Sequence, residues 1–144
     1  MNPLSPRFRF GLRFVMLSRQ WRHTLNLRLA EIGFSDAAWA PLVHLEAFGD
    51  GISQKELAER LGLDGSSLVR TLDILGRDGQ IERLPDPVDR RARRIMLTEK
   101  GKRSVVEIRK VLVAAETEML ADFDDDEIEA LLDAFDKIDG RLKK

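Results

Sequence analysis

The residues able to do chemistry in this chain are mostly arginines. Arg90, Arg91, Arg93 and Arg94 crowd together beside Asp89, and Arg70 stands apart, one helical turn beyond Ser66 and Ser67. A guanidinium carries a planar fork of N–H donors that matches phosphate oxygens and guanine edges. This pattern therefore points to recognition of a polyanion rather than to covalent chemistry. Catalysis has little to work with. There is no cysteine, hence no disulfide framework, thiolate metal site or thiol redox sensor. His23 and His44 lie far apart with no matching ligand spacing, and no cofactor or metal is expected. No Gly-rich phosphate loop or His/carboxylate constellation stands at a useful spacing, so an enzyme is not expected. The acidic run 124–127 reads as a helix start, Asp124 with Glu127 making a capping pattern at the positive end of the dipole.

Two helices and a hairpin must position the arginines. Ser53 to Leu61 places Leu57, Ala58 and Leu61 at helical spacing, and Ser53 with Glu56 forms a capping-box pattern. Gly62 ends that helix, and Asp64 caps the next, from about Gly65 to Arg77. On its wheel Leu68, Leu72 and Leu75 share one face, while Ser66, Arg70, Asp73 and Arg77 lie opposite. Two helices joined by a tight Gly-containing turn make a helix-turn-helix, whose second helix enters a major groove. Two strand-like runs follow, Gln80–Leu84 and Arg93–Leu97, separated by a loop from Pro85 to Ala92 that prolines and aspartates keep irregular. Ile52 is expected to add a very short third strand. A helix-turn-helix followed by a basic hairpin is a winged helix, and wing arginines suit a narrow, electronegative minor groove.

These strings resemble the MarR family of bacterial transcription regulators. The resemblance rests on Gln54 with Glu56-Leu57-Ala58, Leu61-Gly62, and Ser67-Leu68-Val69-Arg70-Thr71-Leu72-Asp73. The wing signature Asp89-Arg90-Arg91-Ala92, followed by Leu97-Thr98, completes it. SLVRTLD, DRRA and LTEK are most similar to the SlyA type. Gln80 departs from the apolar residue usual there, with an effect expected on packing. The absence of cysteine excludes the family's peroxide-sensing branch. The resemblance implies a dimeric regulator, expected to be a repressor, with a pocket for small aromatic acids between its dimer layer and its DNA reader. It maps that pocket onto Arg22 with Trp21 and onto Trp39. A guanidinium can grip a carboxylate and an indole gives a flat wall. The plainer alternative makes Arg22 an interfacial ion-pair residue and Trp39 part of the core.

The rest of the chain fits one α+β, mostly helical domain over residues 1–144. About 7–34 and 99–144 would supply dimerisation helices and about 35–98 the winged helix. Residues 1–6 read as a loose tail, with Pro3 and Pro6 discouraging helix. From about Arg7 to Glu31, Phe10, Phe14, Leu17, Trp21, Leu25 and Leu29 step by threes and fours, and Leu12, Val15 and Met16 widen the stripe. A helix so broadly apolar must bury more than one side, and a second subunit can provide the cover. Asp36 to about Phe48 is helical despite Pro41, which marks a kink or a first turn. Thr98 or Glu99 opens a long helix to about Ala121, and a last helix carries Ile128, Leu131, Leu132, Phe135, Ile138 and Leu142.

The net charge of −1 conceals an asymmetry: residues 81–103 hold eight Lys/Arg against four Asp/Glu, and residues 104–144 six against twelve. That asymmetry is consistent with binding nucleic acid through one face only. Arg70 is expected to contact a base, and Arg90 and Arg91 are the candidates at the wing; the family resemblance favours Arg90 at the tip for the groove, with Arg91 tied to a bracing Asp89. Ser66, Ser67, Gln54 and Lys55 are assigned to phosphates, which set register. No run approaches a membrane span, and arginines interrupt any secretion signal, so the expectation is a cytoplasmic homodimer on a palindromic operator. A rival from another class is a winged helix used only for protein contacts. It would lack the polar start of the second helix.

Overall fold

The computed structural model describes residues 5–49 and 51–143; the side chain of Phe48 is not described. The loose tail expected at residues 1–4 lies outside them. Six helices and three short strands follow in order: α1 (Pro6–Ala30), α2 (Asp36–Phe48), β1 (Ile52–Ser53), α3 (Gln54–Leu61), α4 (Gly65–Arg77), β2 (Ile81–Pro85), β3 (Arg93–Leu97), α5 (Glu99–Met119) and α6 (Asp125–Leu142). The chain divides into two compact units, residues 1–112 and 113–144.

The winged helix is built by local signals that each do one job. Ser53 caps α3 by accepting from the Glu56 N–H, and Gly62 ends it in the left-handed region at φ 66°. Only half of the expected capping box forms, because the Glu56 carboxylate pairs with Arg60 at 3.0 Å. Asp64 caps α4, whose Leu68, Leu72 and Leu75 are buried as the wheel requires. The sheet is antiparallel in the order β1-β3-β2, with Ile52 opposite Ile95 and Ile81 opposite Leu97. Ile52, Ile81, Ile95 and Leu97 turn their side chains inward, onto a core with Leu42, Leu45 and Leu57. That core carries the basic hairpin rigidly beside α4.

Two boundaries differ from expectation, at Pro6 and Pro85, and at Pro41 the first-turn alternative is excluded. Pro6 belongs to α1 rather than to a tail: at the helix start its missing N–H breaks no bond, and Ser5 caps the helix by accepting from Phe8. Pro41 sits inside α2, beyond the first turn, and the helix continues through it. Pro85 closes β2 opposite Arg93 at the end of the ladder, where a residue without an N–H is tolerated.

Gly101 shows how closely α5 approaches the sheet. A Cβ there would stand 2.1 Å from the Gln80 carbonyl oxygen, so only glycine fits. Gln80 itself has its side-chain oxygen bonded by Ser104 Oγ at 2.7 Å, a polar substitute for apolar packing at this joint. Thr98 opens α5, accepting from the Gly101 N–H and donating to the Gly79 carbonyl.

α1 and α6 leave much of their apolar surface open. On α1 only Leu25 and Leu29 are buried, while Phe10, Phe14 and Leu17 are about half exposed. α6 buries none of its side chains fully, although Asp124 and Glu127 complete the capping box that starts it.

Candidate nucleic-acid interface

The start of α4 presents its polar face outward. Asp64 accepts from the Ser67 N–H at 2.8 Å, from Ser66 Oγ at 2.7 Å and from Ser67 Oγ at 3.1 Å. These bonds, the backbone one foremost, hold its carboxyl below the usual range. Both hydroxyl protons are thereby committed. A phosphate contact from Ser66 or Ser67 would require the hydroxyl to leave Asp64.

Arg70 lies exposed on α4, and its guanidinium makes no hydrogen bond or ion pair among the described residues. The alternative, a surface pair with Asp73, is not what forms: Asp73 Oδ1 takes Arg83 Nη1 at 2.7 Å. Gln54 and Lys55 begin α3, Gln54 half-buried and Lys55 exposed. Both line a cleft of about 630 Å³ that Gly65 of α4 and Asp89, Arg91 and Arg93 of the wing complete. The structure thus brings two of the four expected phosphate contacts, Gln54 and Lys55, to one surface with the wing, whereas Ser66 and Ser67 do not line that cleft.

Within the wing the four arginines divide. Arg94 Nε donates to Asp86 at 3.2 Å, and Arg93 Nη1 reaches the Arg90 carbonyl at 3.4 Å. Arg90 and Arg91 are exposed, and their guanidinium groups have no bonded partner among the described residues. Asp89 meets Arg91, but at its backbone N–H (3.0 Å), so it shapes the turn and does not brace a guanidinium. The brace is Asp86, which the sequence reading missed. It accepts from the Asp89 and Val88 N–H groups and from Arg94, and those bonds, in that order, lower its pKa. An aspartate two residues before an exposed turn position is an Asx-turn signal, and that would have found it.

A second cleft, about 400 Å³, lies between α1, α2 and α4, lined by Arg22, Asn26, Asp36, Pro41, Ser67 and Thr71 among others. Arg22 covers the Trp39 ring at 4.4 Å and donates to the Asp36 carbonyl and to Asn26. Asn26 Oδ1 also takes the Trp39 indole N–H at 2.8 Å. Partial burial pulls the Arg22 guanidinium below its ordinary value, against the charge of Asp36. Trp39 is only 6% exposed, so it stands behind Arg22 and offers the cleft no open wall. Trp21, half-buried, does not line the cleft.

His44 Nδ1 lies 2.8 Å from the Ala40 carbonyl, and His23 is exposed. No group of acidic or histidine residues among those described has the arrangement of a metal site. No described helix is long and apolar enough to cross a membrane.

A helix-turn-helix joined to a three-stranded wing defines a winged helix protein. A model of the MarR family matches residues 32–92. The chain is 34% identical to transcriptional regulator PA3341, with a TM-score of 0.85 over 93% of this chain and 98% of that one. It is 25% identical to the transcriptional regulator BldR from Sulfolobus solfataricus, with a TM-score of 0.85 over 98% and 99%. It is also 26% identical to a mutant MarR from E. coli whose crystal structure is complexed with operator DNA, with a TM-score of 0.77 over 89% and 91%. This chain belongs to the MarR family. It is a transcription regulator and not an enzyme.

Proposed function

We propose that this protein is a homodimeric repressor of the SlyA type that reads a palindromic double-stranded DNA operator. The observation that carries the reading is the exposed guanidinium of Arg70 on α4, unpaired among the described residues, next to a wing whose Arg90 and Arg91 are likewise uncommitted among them. The operator DNA bound by the E. coli MarR relative supports the same partner here. In this reading α4 enters the major groove with Arg70 against a base edge, and Arg90 enters the flanking minor groove. Gln54, Lys55, Ser66, Ser67 and Arg91 hold the phosphates. The half-exposed apolar faces of α1 and α6 support the dimer, which would space two α4 helices about 34–36 Å apart.

The effector is a small aromatic carboxylate entering the cleft beside Arg22. Because Arg22 already covers Trp39 and bonds Asp36 and Asn26, the ligand exchanges those bonds for its own carboxylate. Ser67 and Thr71 line the same cleft, so a change there is felt by α4. The effector acts only if it prefers one arrangement of α4 over the other.

Fluorescence anisotropy against labelled DNA from the protein's own promoter region, with scrambled DNA as control, tests the reading. Tight selective binding that Arg70→Ala and Arg90→Ala both weaken, and that salicylate weakens, is the expected result. Equal weak binding to both DNAs, persisting after selection from random sequences, would refute sequence reading and favour a protein-interaction module. Unchanged affinity at saturating salicylate would remove the effector mechanism alone.

A further inference from the structure

The ion pair between Asp73 and Arg83 joins the recognition helix α4 to wing strand β2, with Asp73 Oδ1 at 2.7 Å from Arg83 Nη1. Gly76, on the next turn of α4, lies beside that guanidinium: a Cβ there would be in ordinary van der Waals contact, 3.7 Å from Arg83 Nη2. Both side chains are at the surface, 33% and 47% exposed, and exposed pairs contribute little to stability. The pair has a sharper consequence for what surrounds it. Asp73 stands three residues after Arg70, and side chains three apart on a helix are neighbours. A free carboxylate at 73 is therefore within reach of the Arg70 guanidinium and competes with DNA for it.

We propose that Arg83 is a specificity-determining positioning residue, which holds Asp73 so that Arg70 stays free to read a base edge. The proposal rests on the reading of Arg70 as the base-contacting residue. It also accounts for the presence of an acid on the face of α4 that would meet polyanionic DNA: Asp73 arrives already neutralised by a cation from the wing. Arg77 also lies near Asp73, but its Nε donates to the Asp73 backbone carbonyl at 3.4 Å, not to the carboxylate.

The test uses full-length protein and an operator selected from random DNA with the wild-type chain. Affinity is measured for operator and for unrelated DNA across a salt series. Arg83→Gln should lose about five- to tenfold on operator, part of what an arginine–guanine contact supplies, with little change on unrelated DNA. Asp73→Asn added to Arg83→Gln should restore operator binding, because no carboxylate remains to capture Arg70. In an Arg70→Ala background Arg83→Gln should have no further effect, the non-additivity expected of coupled residues.

Unchanged operator affinity in Arg83→Gln, as when Arg77 takes over Asp73, would overturn the proposal. So would an equal loss on both DNAs with a salt slope shallower by about one, which makes Arg83 a phosphate contact. A loss that Asp73→Asn does not restore, accompanied by a lower melting temperature, would make the pair a strut of the fold. If Arg70→Ala itself keeps operator affinity, the reading of Arg70 fails and takes this proposal with it. If Arg70→Ala loses affinity and Arg83→Gln does not, only this proposal fails.

Discussion

At the scale of single residues, what separates a DNA-reading arginine from an ordinary one is what its guanidinium is doing before DNA arrives. Arg93 and Arg94 are spent on the wing's own carbonyl and carboxylate, whereas Arg70, Arg90 and Arg91 have no such partner among the described residues. Arg70→Ala should cost about 1–3 kcal/mol on operator and almost nothing on unrelated DNA, checked by anisotropy on both. The two low-pKa aspartates make a different prediction. Asp64 and Asp86 are held as carboxylates by N–H donors of the folded chain, so their folded values lie below the unfolded one. Their contribution is present above the ordinary carboxylate range and is lost as pH falls through the folded values. Asp86→Asn should accordingly flatten the acid limb of operator binding between wild type and variant. Matching pH profiles would show that Asp86 does not set the wing. The residue types at these sites were legible in the sequence, and their pairings were not. Whether Asp73 meets Arg70 or Arg83, and whether Asp89 or Asp86 holds an arginine, depends on where β2 and the loop lie across space, which helical periodicity does not encode.

Elements were legible wherever a local rule acts alone. α3 and α4 begin and end where Ser53, Gly62 and Asp64 dictate, and the capping box of Asp124 and Glu127 starts α6. Misreadings arose where one residue obeys two rules. Pro6 disfavours a helix interior but suits a first turn, and Glu56 can cap its own helix or pair with Arg60. Gly101 belongs to the joint between elements, and nothing about a glycine in LTEKG announces a backbone pressed against it. Gly101→Ala should destabilise by roughly 1–3 kcal/mol or more, the range for overpacking, since the atom it meets is a main-chain carbonyl and cannot rotate away. Thermal unfolding measures this, and an unchanged midpoint would mean α5 can shift outward without cost. Because Gln80 links that joint to Ser104, Gln80→Leu is the natural companion variant, expected to weaken the attachment of α5 less than the glycine change.

For the molecule as a whole, the question is what covers the surfaces one chain leaves open. Leu131, Leu132 and Phe135 of α6 are each close to half exposed, as are Phe10, Phe14 and Leu17 of α1. Apolar faces of this breadth on two separate helices belong against protein rather than water. Charge favours the pairing of copies too. Residues 104–144 carry twice as many acids as bases, while α1 has arginines and no acidic residue in its first turn. A second copy can satisfy both sides at once, and a palindromic operator then follows from the two-fold symmetry of the readers. Phe135→Asp places a carboxylate in the apolar stripe of α6 and leaves the residues of α3, α4 and the wing unchanged. If the proposed homodimer forms through this stripe, sedimentation equilibrium should find the wild type dimeric and the variant monomeric. Its operator affinity should fall by about 10²–10⁴, the advantage of engaging two half-sites together, while affinity for an isolated half-site stays near wild type. A variant that remains dimeric would move the interface away from α6. A monomer that still held the full operator as tightly as the wild type would mean that one winged helix suffices, and that the symmetry of the site is not what this protein reads.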